Sequence, residues 1–392
     1  MTGALQIAGT GPKLSWGGDG SCALPPGGRS TPSARLALRV KPWHPAVVLA
    51  MVMTLAMPMA GVIGVARGED RLPGAHDAAR VGFTEITPEL RQAVEDGLAY
   101  LATQQRDDGS FGGNRYGRHV GTAALAGLAF MADGHLPGRG EHGPVVERTL
   151  AFILDAAGES GFIAADTSHG PMYGHGFATL FLGELYGQTG DPRVREALLK
   201  AVRLIVNTQN DEGGWRYHPI PIDADISVTI TQVHALRSAR NAGLSVPSET
   251  IDRAVAYVKA CQNPGDGGFR YMLSAGGSAF PRSAAGVATL FYAGRYEGDE
   301  LKRGLDYLER TANEAGFRTG GHYFYGQYYA AQAMYMAGGD YWRTWFPQAR
   351  AALIDNQQPD GRWTSSHGDT YATAMALLVL QMPNRLLPIF QR

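Results

Sequence analysis

Apolar positions along residues 85–392 fall into two alternating patterns. In the first, a small residue is followed three and four places on by its packing partners. Examples are Gly97 with Tyr100 and Leu101, Ala201 with Leu204 and Ile205, Ala254 with Tyr257 and Val258, Gly304 with Tyr307 and Leu308, and Ala349 with Ala352 and Leu353. That spacing makes one apolar face of a helix whose other face is polar. In the second pattern apolar residues run almost unbroken: "VGTAALAGLAFMA", "GFATLFLGELYG", "ISVTITQVHALRSA", "SAAGVATLFYAG", "GQYYAAQAMYMAG" and "TYATAMALLVLQM". A helix that is apolar all round needs burial on every side.

A Gly turn and an aromatic ring stand between the two patterns. The rings are Phe111, Phe162, Trp215, Phe269, Phe317 and Trp363, spaced 51, 53, 54, 48 and 46 residues apart. Gln105, Gln209, Gln262 and Gln357 precede the turn in four units. Ala157 and Ala312 replace the Gln in the other two, which read as one residue tighter. Six helix hairpins, each with a half-apolar first helix and an apolar second helix, predict an all-α (α/α)6 toroid. The second helices form an inner ring and the first helices surround it. An open solenoid is the alternative, but its repeats are usually shorter, about 34–47 residues. The repeat fills 80–392 as one domain.

The pattern small-x-x-Tyr/Leu-Leu-x-x-x-Gln-x-x-x-Gly-x-Trp/Phe resembles the QW repeat of squalene-hopene and oxidosqualene cyclases and the related repeat of protein prenyltransferase β-subunits. Gln105 to Phe111, Gln209 to Trp215 and Gln357 to Trp363 match it residue by residue. The resemblance implies the toroid fold. It does not fix the chemistry, because the repeat is a structural corner. The cyclases use two such barrels, and this chain has one.

Parallel inner helices gather their N-termini, and the positive ends of their dipoles, at one mouth of the barrel. The residues expected there are His119, His175, Asp225, Arg282, Tyr325 and Asp369. Asp223-Ala224-Asp225-Ile226 resembles the DxDD motif of class II cyclases. That resemblance puts Asp225 in the place of the acid that protonates an alkene, with Ile226 where a further Asp would stand. Such an acid must be strong yet still protonated when substrate arrives. Asp223, Asp369, His119 and His175 are the neighbours available to tune it. The plainer reading makes Asp225 and Asp369 helix N-caps, worth about 1 kcal/mol each. The prenyltransferase comparison implies a zinc site of Asp-x-Cys and His, but Ser227 and Arg282 stand at the Cys and His positions. That metal site is absent, and neither metal nor cofactor is called for. A different ligand set, His119, His175, Asp225 and Asp369, is the rival to that reading. Phe177, Phe181, Tyr328 and Tyr371 join Tyr325 and Arg282 as expected ligand contacts. Core packing is the plainer role for the rings.

Charge changes the picture at the N-terminus. Residues 1–68 carry Lys13, Arg29, Arg35, Arg39, Lys41 and Arg67 against Asp19, although the whole chain has a net charge of −1. The remainder is therefore acidic and has no basic stripe for nucleic acid. Residues 46–66 hold no charge and read as an export signal or a membrane anchor within 46–68, behind a Gly/Pro/Ser-rich leader at 1–45. Export to the periplasm or the extracellular space is the expectation, with membrane association through 46–66. If Cys22 leaves with that segment, Cys261 remains alone and no internal disulfide forms.

Three functions stay open on these residues. The toroid admits a hydrophobic, isoprenoid-like or lipid ligand and acts on it as a terpene cyclase or mutase would. It binds without catalysis, as a scaffold. Or it is a carbohydrate-active enzyme that uses a carboxylate pair such as Asp225 and Asp369.

Overall fold

Among the described residues, six outer helices alternate with six inner ones. The computed structural model describes residues 85–112, 118–165, 170–274, 276–315 and 322–391, which fall within one unit, Glu69–Arg392. The outer helices are α1 (Pro88–Thr103), α3 (Gly143–Asp155), α5 (Pro192–Asn207), α7 (Ser248–Cys261), α9 (Asp299–Ala315) and α11 (Gly339–Asp355). The inner ones are α2 (Val120–Ala132), α4 (Pro171–Thr189), α6 (Ile226–Asn241), α8 (Phe280–Tyr292), α10 (Tyr323–Ala337) and α12 (Asp369–Leu380). No strand occurs among the described residues. Each inner helix packs on the next, and α12 packs back on α2, so the ring is closed. Every residue of α2 is buried, as an all-apolar helix requires.

The repeated corner explains both the Gln and the Gly. The amide of Gln209 donates to the carbonyl of its own turn, Gly213, at 2.8 Å, and to Thr250 of the next outer helix at 2.9 Å. Gln262 repeats this on Gly267 and Glu300 at 2.9 and 2.8 Å. Gln357 does so on Gly361 and on Ala93 of the first unit, both at 2.9 Å. Gly213 sits at φ +97°, and a Cβ there would strike the Arg253 carbonyl of α7. Only glycine fits both demands. The two tryptophans lock their corners alike: Trp215 Nε1 donates to Ile205 O at 2.8 Å and Trp363 Nε1 to Leu353 O at 2.7 Å.

Two expectations need correction. In the second unit the buried corner residue is Ile163, not Phe162. Ile163 bridges to Ala157 as Phe111 bridges to Gln105, so that unit is not tighter. The inner helices α4, α8 and α10 also begin earlier than their apolar runs. Pro171 and Pro281 occupy first turns, where a missing N–H costs nothing. His175 therefore lies in the second turn of α4 rather than at its start.

At the far end of the ring a C-terminal tail crosses the ends of α2, α4 and α6. Gln381 and Asn384 donate to Ala129 O and Ala132 O at 3.0 and 3.2 Å. Leu387, Ile389 and Phe390 are buried there. Glu184 of α4 accepts from Ser238 Oγ at 2.6 Å and from the Ile389 N–H at 3.0 Å. Residues 1–68, with the apolar run at 46–66, and Phe317 lie outside the described residues. None of the described helices is long and apolar enough to cross a membrane.

Candidate active site

A cavity of about 540 Å³ opens at the N-terminal end of the inner ring. Its wall comes from the starts of four inner helices: His119, Gly121, Thr122 and Leu125 at α2, Tyr173 and Phe177 on α4, Tyr325 on α10 and Tyr371 on α12. Gly170, Tyr217, His218, His322 and His367, from segments leading into inner helices, complete it. Its size suits a small organic ligand, and its mixture of rings with a few polar groups is that of a binding pocket. The starts of α2, α4, α8, α10 and α12 have no side-chain cap, which leaves their first N–H groups without that partner.

Asp225 caps α6 and is fully buried. Its Oδ1 accepts from Ser227 N at 2.9 Å, Val228 N at 3.0 Å and Ser227 Oγ at 2.5 Å. Its Oδ2 has no hydrogen-bond partner. The nearest cation to it is Arg216, whose Nε is 3.8 Å away and whose Nη1 pairs with Asp223. Burial holds the Asp225 carboxyl above the usual carboxylate range, opposed by the Ser227 hydroxyl, the two N–H groups and Arg216. Asp225 does not line the cavity, but a short chain of hydroxyls reaches it. Ser227 Oγ lies 2.6 Å from the Tyr173 hydroxyl, which is on the wall. The Tyr325 hydroxyl donates to Ser227 O at 3.0 Å and fixes the same turn from the α10 side.

Of the residues expected at the mouth, the structure brings His119, Tyr325, Phe177 and Tyr371 to the cavity and sets Asp225 behind it. The rest lie elsewhere. His175 is buried in the α3–α4 corner, where its Nδ1 accepts from Ile163 N at 3.2 Å. Thr229, Ser283 and Thr373 do the same work in three other units, accepting from Trp215 N, Phe269 N and Trp363 N. Burial lowers the His175 pKa to about 4, so it stays neutral. Asp369 does not cap α12; it lies 3.4 Å from Arg362, and neither Asp225 nor Asp369 lines the cavity. Arg282 is off the cavity wall, in the first turn of α8. Phe181 packs under α2 and Tyr328 against His234, both in the filled part of the ring. Among the described residues no three His, Cys, Asp or Glu side chains could share a metal ion. The pattern did not single out Tyr173, Tyr217, His218, His322 or His367. The rings of His322 and His367 sit 5.4 Å apart.

No protein-family model matches the chain. A drimenyl diphosphate synthase of Streptomyces showdoensis is 26% identical over 255 residues, 62% of this chain and 44% of that protein. The chain thus spans less than half the length of that relative. The type II terpene cyclase MstE from Scytonema superposes with a TM-score of 0.54 at 15% identity, covering 76% of this chain and 99% of that one. The α-1,6-mannanase GH76A of a Salegentibacter species gives 0.56 at 11% identity, covering 76% and 99%. The cellobiose 2-epimerase of Spirochaeta thermophila gives 0.56 at 13% identity, covering 76% and 98%. At these identities the likeness is one of fold. The chain is an (α/α)6 toroid that shares its architecture with terpene cyclases and with carbohydrate-active enzymes, and its sequence is similar to part of one terpene synthase.

Proposed function

We propose that the toroid binds an isoprenoid-like ligand in its mouth cavity and isomerises it by acid-initiated cyclisation, with Asp225 as the proton source. The observation that carries this is the short line Asp225 Oδ1–Ser227 Oγ–Tyr173 hydroxyl, with links of 2.5 and 2.6 Å, from a buried carboxyl to the cavity wall. In one concerted transfer the Tyr173 O–H breaks as a C–H bond forms on an alkene carbon. Tyr173 takes the Ser227 proton, and Ser227, its hydroxyl turned to accept from a protonated Asp225 Oδ1, takes that of Asp225. The electron pair of a second alkene closes the ring on the resulting cation. Loss of a proton from carbon to water ends the reaction, and Asp225 is reprotonated from solvent. The carboxylate left behind is held by Ser227 N and Val228 N, with the charge of Arg216 3.8 Å from its Oδ2. Tyr173, Phe177, Tyr325 and Tyr371 supply ring faces to which a cation is drawn. The sequence similarity to part of a terpene synthase supports the choice of ligand class. The carboxylate pair that a glycosidase reading needs has no support, since Asp369 is turned to Arg362.

A non-catalytic binding role is the second reading, favoured by the cap hydrogen bonds that Asp225 makes to Ser227 N and Val228 N. The test is to incubate the protein in D₂O with linear polyprenyl hydrocarbons, alcohols and diphosphates of graded length. A cyclised product carrying one solvent deuteron, absent with Asp225→Asn, is the expected result. Identical product profiles from both proteins, at equal stability, would leave the binding role alone.

A further inference from the structure

Arg216 presents a problem for any proton held on Asp225. A guanidinium this close to a buried carboxyl should draw it into an ion pair, since attraction strengthens as the surroundings lose water. Here that pair is stretched and makes no hydrogen bond. Nη1 of Arg216 is taken by Asp223, which is half exposed, and Nε is left 3.8 Å from Oδ2 of Asp225, beyond hydrogen-bond reach. The guanidinium lies over two rings, 5.2 Å from that of Tyr217 and 5.9 Å from that of Tyr271. The hydroxyls of those rings are bonded to each other. The segment His218 to Ile222 is kinked by two prolines and by the turns Ile220 N to His218 O and Ile222 N to Ile220 O, at 2.8 and 2.9 Å. That path delivers Asp223 to the outer side of Arg216.

We infer that Asp223 is a positioning residue: its carboxylate holds the Arg216 guanidinium off the second oxygen of Asp225, so that Asp225 keeps its proton. This rests on the reading of Asp225 as a proton source, but its test does not need turnover. The other titratable groups set against Asp225 are Tyr173 on α4, Tyr257 and Cys261 on α7, Tyr271 after it and Tyr325 on α10. Burial raises every one of them, so all are neutral near neutral pH. Arg216 is therefore the charged group whose position adjusts Asp225, beside burial and the hydrogen bonds from Ser227 and Val228. Asp223 acts through Arg216 and touches neither the cavity wall nor the hydroxyl line.

The experiment is an infrared pH titration of the protonated-carboxyl band, assigned to residue 225 by its loss in Asp225→Asn. It is run on the wild type, Asp223→Asn, Arg216→Gln and the double variant, all without ligand. In Asp223→Asn the pH of half-protonation should fall by about one unit or more as Arg216 closes on Asp225. In Arg216→Gln it should rise, and adding Asp223→Asn to that background should change nothing further. An equal fall in both backgrounds would mean that Asp223 acts by its own charge, and the inference would be wrong. So would the absence of any band lost in Asp225→Asn. Failure of every polyprenyl to react, with the titration as expected, would remove the cyclase reading and leave this one standing.

Discussion

The side-chain amide of Gln357 donates to the carbonyl oxygen of Ala93, 264 residues earlier in the chain. It is the same bond that Gln209 makes to Thr250, one unit on. The last corner is thus joined to the first helix as firmly as any inner corner is to its neighbour.

Closure has a measurable consequence. Gln357→Ala and Gln209→Ala should each cost about 1–3 kcal/mol, because each leaves two carbonyls short of a partner. Urea unfolding of the two variants should give similar losses. If Gln357→Ala is silent while Gln209→Ala is not, the ends fray and the ring is open in solution.

Glu184 should make the protein weaker in mild alkali. Burial raises its carboxyl to about 7, although the Ser238 hydroxyl and the Ile389 N–H oppose the shift. Its folded value exceeds its unfolded one, so its contribution is full below the ordinary carboxylate range and lost as pH rises through about 7. The loss is on the order of 3 kcal/mol. Thermal unfolding should show a fall in Tm between roughly pH 5 and 8 that Glu184→Gln flattens. A Tm profile unchanged by that substitution would refute it.

Acid should act through two buried histidines. Burial takes His175 down to about 4 and His234 to about 3, the latter stacked 4.4 Å from the ring of Tyr292. Both fold neutral, so stability present above the ordinary imidazole value of about 6.5 is lost as pH falls below it. His175→Thr, which copies Thr229 and Thr373, should reduce that acid sensitivity while still accepting from Ile163 N–H. Stopped-flow unfolding between pH 4 and 7 checks this, and an acid limb as steep as the wild type's would rule it out.

Tyr173→Phe removes the last hydroxyl of the line from Asp225 while keeping the ring. Product formation should drop by about 10²-fold or more, as loss of an acid–base group does. Binding of a fluorescent polyprenyl probe should stay near the wild-type value. Tyr325→Phe, which only loosens the Ser227 carbonyl, should act more weakly. Equal activity of wild type and Tyr173→Phe would show that the proton takes another path.

Much of this was readable from the residues. The corner repeats itself because each Gln and Gly meets the same backbone neighbours, so the toroid follows from spacing alone. His119, Tyr325, Phe177 and Tyr371 reach the cavity because inner-helix starts converge. The errors have local causes. Prolines at 171 and 281 lengthen their helices upstream, which moves His175 away from the mouth. Arg362 draws Asp369 aside. The segments before the inner helices differ in length, so no common count finds Tyr173, His218, His322 or His367. The Arg216–Asp223 pair depends on a kinked loop whose path no periodicity encodes.

The tail covers the ends of α2, α4 and α6, while the cavity opens at the opposite end of the ring. Under the proposed function, a long ligand would enter and leave by the rim, and the buried, packed rings of Tyr328 and Tyr329 would limit how deep it goes. On that reading depth would act as a gauge of chain length. Shaving that floor, not widening the rim, is the way to change which length is accepted.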